Sequence, residues 1–273
     1  MKPEKKNNII IEIIMWLLSI IVIYPLAMVL ITSLKSGAES GDLNVNLPKK
    51  LMFGNYHTVF IDGKLLMSFI NSGVITFCSV ALIIFLSSTL AYIIMRNKTK
   101  LNRIIYKILI FGIILPFAPL PTIKILQSLH IYGSYISLIL VYTALYIPFS
   151  TMLFSSFIQT VPKEVDEAAV IDGCEGLQLF FKIVFPLLKP VTVTVAVLNF
   201  MWVWNDFQYT IYLINSSSKW TLPLSIYNFY GKYNRNWNLV CADMVMISFP
   251  VILIYLLAQK QIMSGMTAGS VKG

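Results

Sequence analysis

Of 273 residues, 57% are hydrophobic and only 12% are charged, and the mean hydropathy is +0.76. Soluble domains carry about 25% charged residues, so these proportions exclude an ordinary water-soluble fold and indicate a bilayer. The net charge of +9 does not indicate nucleic acid as a partner, because the cations fall where membrane topology retains them.

A helix needs about 20 apolar residues to cover ~30 Å of hydrocarbon. Six such segments are read, at about 9–33, 69–95, 104–123, 134–158, 190–214 and 239–259. They fill most of the chain, so residues 1–273 are expected to form one all-α membrane domain with six transmembrane helices and no separate soluble part. With the N-terminus cytoplasmic, six crossings return the C-terminus to the cytoplasm, and most Lys and Arg then lie on that side.

The first segment has a basic start at Lys2, Lys5 and Lys6, but its apolar run is too long for a cleavable signal and no small-x-small site closely follows it. It reads as a retained anchor, bent at Pro25, with Glu12 snorkelling near its cytoplasmic end. Thr32-Ser33-Leu34-Lys35 closes it, and 36–64 follow as a polar external loop containing Asn55-Tyr56. The second segment opens on Asn71-Ser72-Gly73 and repeats small residues at Ser79, Ser87, Ser88 and Ala91. Small side chains let helices approach closely, which predicts a packed inner helix. The basic connection Arg96-Asn97-Lys98-Thr99-Lys100, with Arg103, belongs on the cytoplasmic side.

The third segment is short and broken, closed by Pro116, Pro119 and Pro121, and an external connection carries Lys124, Gln127, His130 and Tyr132. The fourth holds Pro148, and the sixth holds Asp243 near its outer end, where a local pair or cap is expected. Cys78, Cys174 and Cys241 fit no disulfide or metal spacing and read as small buried apolar residues. His57 and His130 lie in different external loops without a nucleophile or metal set beside them. No G-x-x-x-x-G-K-[ST] phosphate loop occurs, so ATP hydrolysis by this chain alone is not expected.

Between the fourth and fifth segments, 160–188 form a polar, helix-forming island. Pro162 suits a helix N1 position, and Glu164, Asp166 and Glu167 follow in the first turn, where carboxylates meet the positive end of the helix dipole. Gly173 suits a left-handed C-terminal cap. Beyond Gly176, Leu177, Phe180, Phe181 and Val184 recur at i, i+3, i+4 and i+7, which predicts a second helix with one apolar face. Pro186 marks the return towards the fifth segment. The expected product is a rigid helix–turn–helix on the cytoplasmic surface, either an apolar and acidic knob for a partner's groove or an interfacial amphipathic hairpin with no partner.

In the fifth segment, at 100° per residue, Asn199, Trp202, Asn205, Asp206, Gln208, Tyr209 and Tyr212 fall on one half of a helix. Phe200, Val203, Phe207, Ile211 and Ile214 fall on the other. An ionisable residue inside a span is a functional candidate, and aromatic faces beside amide and carboxylate groups suit a sugar's apolar ring face and hydroxyl rim. The same half could instead be a polar seam against another membrane subunit.

The spacing Glu167-Ala168-Ala169, Gly173, Ile183 and Pro186 has the form E-A-A-x3-G-x9-I-x-x-P, accompanied by Asp172 and Phe180-Phe181. With the tail Ala258-Gln259-Lys260-Gln261 and 265–273, and more weakly Thr32–Lys35 and Asn71-Ser72, it resembles the inner-membrane permease subunits of carbohydrate ABC importers of the maltose/maltodextrin type. Phe185 departs from that pattern, which usually has Leu there, but conserves bulk. The resemblance implies a type I ABC importer permease in a bacterial cytoplasmic membrane, with a permease core at about 69–260 and a coupling loop at 160–188. It implies as partners a second related permease, a homodimer of ATP-binding subunits and an extracellular solute-binding protein. It also implies a sugar or oligosaccharide substrate, with ATP and Mg held by the ATPase subunits and no cofactor in this chain. Glu167, Ala168, Ala169, Asp172, Gly173, Ile183 and Pro186 would form the ATPase contact, the acid meeting the ATPase groove and the glycine permitting the turn. In such pairs one permease can supply most of the sugar contacts, so Asn199, Trp202, Asn205, Asp206, Gln208 and Tyr209 would line a path without necessarily binding tightly. The alternatives are an ABC permease for a non-sugar solute, and an ion-coupled secondary transporter, which would need an ion site and often repeated halves.

Overall fold

The computed structural model describes residues 4–230 and 236–268. The basic start at Lys2, Lys5 and Lys6, Ala258 and the tail at 265–273 lie outside the side chains it describes. In chain order the helices are α1 (Glu4–Ser33), α2 (Gly54–Asp62), α3 (Leu65–Arg96), α4 (Lys100–Ile114), α5 (Pro119–Ser128) and α6 (Tyr135–Ile158). There follow α7 (Glu164–Ile171), α8 (Gly176–Leu179), a π-helical turn over Phe180–Val184, α9 (Phe185–Leu187), α10 (Lys189–Trp204), α11 (Gln208–Leu213) and α12 (Trp237–Ala268).

Four helical stretches are long and apolar enough to cross a bilayer: Ile14–Ser33, Leu65–Arg96, Tyr135–Ile158 and Trp237–Leu256. A fifth is a pair, Gly176–Leu187 and Lys189–Trp204, bent by 80°. These match the first, second, fourth and sixth expected segments, but the third and fifth are each interrupted. At the third, α4 stops at Ile114 and Leu115 turns extended (φ −69°, ψ 126°). Pro116 explains this, since a residue before proline is pushed out of the helical region. Pro119 and Pro121 do not close a helix; α5 starts at Pro119, where a missing N–H costs nothing. At the fifth, α10 ends at Trp204 and a separate α11 starts at Gln208.

The described residues divide into two compact units, 4–66 with 222–230 and 236–250, and 67–221 with 251–268. In the first unit, α1 exposes apolar side chains such as Trp16, Ile21 and Leu26 along its length, as a helix that is hydrophobic all round does in a membrane. The loop at 36–64 is more ordered than its polarity suggested, with a 3-10 turn at Glu39–Gly41 followed by α2. Asn55 on α2 is buried and donates from Nδ2 to the carbonyls of Ser33 (2.8 Å) and Lys35 (2.9 Å), at the C-terminal end of α1. Asn238 of α12 donates to Asn55 Oδ1 at 3.0 Å. Buried Lys35 is satisfied by the carbonyl and Oδ1 of Asn44, at 2.9 and 2.8 Å. Asp243 is fully buried and accepts from Ser225 Oγ on both oxygens, at 3.2 and 3.0 Å, the local partner expected for it.

In the second unit, Ser72, Ser79, Ser87, Ser88 and Ala91 of α3 are all buried, as a packed inner helix requires. One apolar cluster joins Ile75, Leu138, Val141, Tyr142, Val203 and Leu213. A second joins Ala91 of α3, Phe154 and Ile158 of α6, Phe180 and Val184 of the π turn, and Val191 and Val195 of α10. That second cluster anchors the 160–188 loop. Of the cysteines, Cys241 is buried, but Cys174 is only half-buried and Cys78 is exposed, so the expectation of buried apolar cysteines holds for one of three.

Candidate functional site

The loop at 160–188 is built by two turn devices. Its first arm, α7, starts two residues later than its proline suggested: the Lys163 carbonyl accepts from Asp166 N (2.9 Å) and Glu167 N (3.1 Å). Lys163 is therefore the cap and Pro162 lies outside the helix. Glu164, Asp166 and Glu167 do occupy the first turn. At the other end Cys174 N donates to Ala169 O at 2.9 Å and Gly173 N to Val170 O at 3.0 Å. This nested pair is a Schellman cap, and it requires the left-handed conformation found at Gly173, φ +84°.

Ala169 is buried, whereas Glu167, Ala168, Asp172, Gly173 and Pro186 are exposed and Ile183 is half-buried. Beside the exposed acids, Ile171 is 86% and Leu177 71% exposed. The second arm does not present the single apolar face expected of it. Phe180 (3%) and Val184 (0%) are buried while Leu177 and Phe181 face out. The π-helical turn over Phe180–Val184 accounts for this, because it breaks the α-helical repeat within that stretch. The loop thus presents an apolar and acidic knob on a buried root.

A residue that the sequence placed only as a topological charge belongs to this site. Arg96, the last residue of α3, pairs Nε with Asp166 Oδ2 at 2.7 Å. Its Nη2 donates to Asp166 Oδ1 at 3.3 Å, and Nη1 and Nη2 each donate to the Val161 carbonyl at 3.2 Å. Tyr92, one turn earlier, donates its hydroxyl to Asp166 Oδ2 at 3.2 Å. Nothing in local spacing separates Arg96 from Lys98 or Lys100; its place as the final residue of α3 comes from the structure.

The polar residues of the fifth segment do not share one face, because the helix stops at Trp204. Asn199 is buried and donates from Nδ2 to Ser150 Oγ at 3.0 Å and to Val195 O at 2.8 Å, so it ties α10 to α6 and is not on a surface. Asp206 caps α11: its carboxylate accepts from Tyr209 N (3.1 and 3.2 Å), Thr210 N (3.1 Å) and Thr210 Oγ1 (3.2 Å). The hydroxyl of buried Tyr142 adds a fourth donor group at 2.7 Å. A carboxylate that gathers the first N–H groups of a helix starts it there, which is why the chain breaks at 205–207.

Trp202, Asn205, Asp206, Gln208 and Tyr209 do meet, lining an open cleft of about 570 Å³ with Tyr146 and Phe207. Phe207 joins this group although a continuous helix would have put it on the opposite side. A neighbouring cleft of about 490 Å³ shares Tyr146, Trp202 and Tyr209 and adds Phe117 and Phe149. The rings pack edge to face or tilted, Tyr146–Trp202 and Phe149–Trp202 at 5.2 Å and Phe117–Tyr209 at 4.6 Å between centroids. Phe117, Tyr146 and Phe149 were missed from sequence; the Tyr142 and Tyr146 repeat at i, i+4 was the available signal.

Residues 82–264 match the family model described as binding-protein-dependent transport system inner membrane component. The chain is 34% identical to the probable starch degradation products transport system permease protein AmyC of Thermoanaerobacterium thermosulfurigenes, over 93% of each chain. It is also 34% identical to the melibiose/raffinose/stachyose import permease protein MelC of Bacillus subtilis, over 91% of each. In fold it is similar to a chain from a bacterial ABC transporter involved in the import of the acidic polysaccharide alginate. There the TM-score is 0.82 at 21% identity, covering 95% of this chain and 98% of that one.

Proposed function

The chain belongs to the binding-protein-dependent transport system inner membrane component family, and from that premise we propose that it is the permease subunit of an ATP-driven importer for a sugar or oligosaccharide. It is a multi-pass membrane transport component. In the proposed assembly it pairs with a second, related permease, receives substrate from an extracellular solute-binding protein, and rests on a homodimer of ATP-binding subunits that hold the ATP and Mg. The membrane is the bacterial cytoplasmic membrane. The chain crosses it six times, the two interrupted segments included, with both termini in the cytoplasm.

The observation that carries this reading is the uncovered knob where α7 turns into α8. Apolar side chains as exposed as Ile171 and Leu177, set beside acids on a capped and anchored support, suit a partner's groove better than water. Glu167 meets the groove and Gly173 fixes the turn. Closure of the ATPase dimer moves the loop, and the permease pair opens outward. The aromatic cleft at Trp202, Tyr146 and Tyr209 offers ring faces to sugar C–H groups, with Asn205 and Gln208 available to hydroxyls. Asp206 serves by holding that cleft in shape, its carboxylate being occupied by the chain's own donors.

Purification of the tagged chain from its native host in mild detergent tests the assembly. A second permease and an ABC ATPase should copurify, and Ile171→Glu should release the ATPase while keeping the permease partner. Recovery without any ATPase, under conditions that preserve other ABC complexes, would overturn the importer reading.

A further inference from the structure

The loop is joined by chain continuity to α6 on one side and α10 on the other, whereas its contacts with α3 are made by α3 side chains distant in sequence, among them Arg96, 70 residues from Asp166. We infer that Arg96 is a positioning residue that fastens the coupling loop to α3, so that movement imposed on the loop is delivered along α3 to the opposite end of the unit. The inference rests on the proposed role of the loop as the ATPase contact.

The fastening has the geometry of a grip. Arg96 reaches Asp166 through two nitrogens, 2.7 Å from Nε and 3.3 Å from Nη2, and holds the Val161 carbonyl with both terminal nitrogens. Nη2 also lies 3.5 Å from the Pro162 carbonyl. One guanidinium therefore spans the α6–α7 connection and the first turn of α7. The fork suits this: its terminal nitrogens donate to a carboxylate and a carbonyl together while Nε adds an ion-pair contact, which the single ammonium of a lysine does not reproduce. Both side chains of the pair are largely shielded from solvent, at 12% and 15% exposure, where charge-assisted bonds are less screened. Tyr92 adds its hydroxyl to Asp166, so the carboxylate is held from two successive turns of α3.

The other arm of the loop is gripped by the same helix. Tyr92 lies 5.4 Å from Phe180, and Phe85 stacks on Phe181 at 6.0 Å between centroids. Both phenylalanines belong to the π turn. Ala91 packs in the cluster that buries Phe180 and Val184. Between them Phe85, Ala91, Tyr92 and Arg96 of α3 therefore reach both arms, Tyr92 touching each.

At the far end α3 is fastened again. Asn71 donates from Nδ2 to the carbonyls of Ser218 and Trp220, each at 3.0 Å, and accepts from the Tyr135 hydroxyl at 2.8 Å. The 32 residues of α3 extend about 48 Å at 1.5 Å per residue, longer than the ~30 Å hydrocarbon layer. A continuous helix held at both ends conveys displacement of one end to the other. Its far attachment is the 215–221 segment, which follows α11 and the aromatic cleft.

The test uses the intact importer complex in lipid nanodiscs, where both faces are open to reagent. Cys174 reports the loop, in a chain carrying Cys78→Ser and Cys241→Ser. A second chain with Cys174→Ser as well and Met67→Cys, an exposed position near the start of α3, reports the far end. Labelling rates with a maleimide are compared before and after trapping with ATP and vanadate. Both sites should respond in the parent. In Arg96→Gln and in Asp166→Asn, with the ATPase still copurifying, Cys174 should respond while the Met67→Cys response is lost. Arg96→Lys should recover part of it, and the exchange Arg96→Asp with Asp166→Arg should restore more than either single reversal. An undiminished Met67→Cys response in Arg96→Gln would overturn the inference while leaving the importer reading intact. No response at Cys174 in the parent would remove the importer reading and the inference with it.

Discussion

The loop at 160–188 and the aromatic cleft both carry carboxylates, and they use them in opposite ways. On the loop, Glu167 and Asp172 stand exposed beside Ile171, whereas Asp166 is engaged by Arg96 and Tyr92. In the cleft, Asp206 is satisfied internally by Tyr142, Tyr209 and Thr210. An acid within a membrane segment is commonly taken as a ligand for what passes through, because it is expensive to keep there. Here the donors of a new helix start offset that expense. On the proposed assignment, exposure without an internal partner, rather than residue type, separates a contact residue from a structural one.

The sharpest way to break this comparison is to remove the inward-facing acid. Asp206→Ala leaves the Tyr142 hydroxyl and the first N–H groups of α11 without their acceptor, and should destabilise the fold by about 3 kcal/mol. Thermal unfolding of the detergent-purified chain measures this; an unchanged melting temperature would mean that Asp206 is free for substrate after all. Tyr142→Phe removes one donor to the same carboxylate and should cost about 1.5 kcal/mol in the same assay. Gly173→Ala follows at about 1 kcal/mol, from the left-handed backbone alone. An added Cβ there meets no atom within 4 Å, so Gly173→Asn, better tolerated in that conformation, should lose less. Smallest in stability is Ile171→Glu on the outward knob, expected within about 0.5 kcal/mol although it removes ATPase retention. A large drop in melting temperature for that variant would show Ile171 to be a packing residue.

The parts of the molecule that follow from neighbouring residues were open to sequence reasoning. The acids in the first turn of α7 and the glycine cap at Gly173 each depend on a few adjacent residues and one backbone rule. The long apolar stretches of α1, α3, α6 and α12 were equally plain, since length and hydropathy decide them. Reasoning failed where a distant partner settled the matter. The end of α10 depends on Asp206 finding Tyr142 on α6 as well as the amides of α11, and a periodic wheel has no means of registering that. Asn199 looked like a path residue because its spacing matched Trp202 and Asn205, yet Ser150 on another helix turns it inward. Arg96 looked like one cation among several because Asp166 lies 70 residues further on. Pro162 does not take the N1 place read for it, because the Lys163 carbonyl receives the N–H groups of Asp166 and Glu167 and α7 starts beyond it.

The central claim, that the α7 knob docks on an ATP-binding subunit, is tested most directly by a photo-crosslinking amino acid placed at Ile171 in native-host membranes. Adducts identified by mass spectrometry should contain an ABC ATPase, and should weaken when the same probe is moved to buried Ala169. Adducts with lipid alone, at a yield matching that of a probe at Trp16 on α1, would contradict the account and leave the loop as an interfacial hairpin.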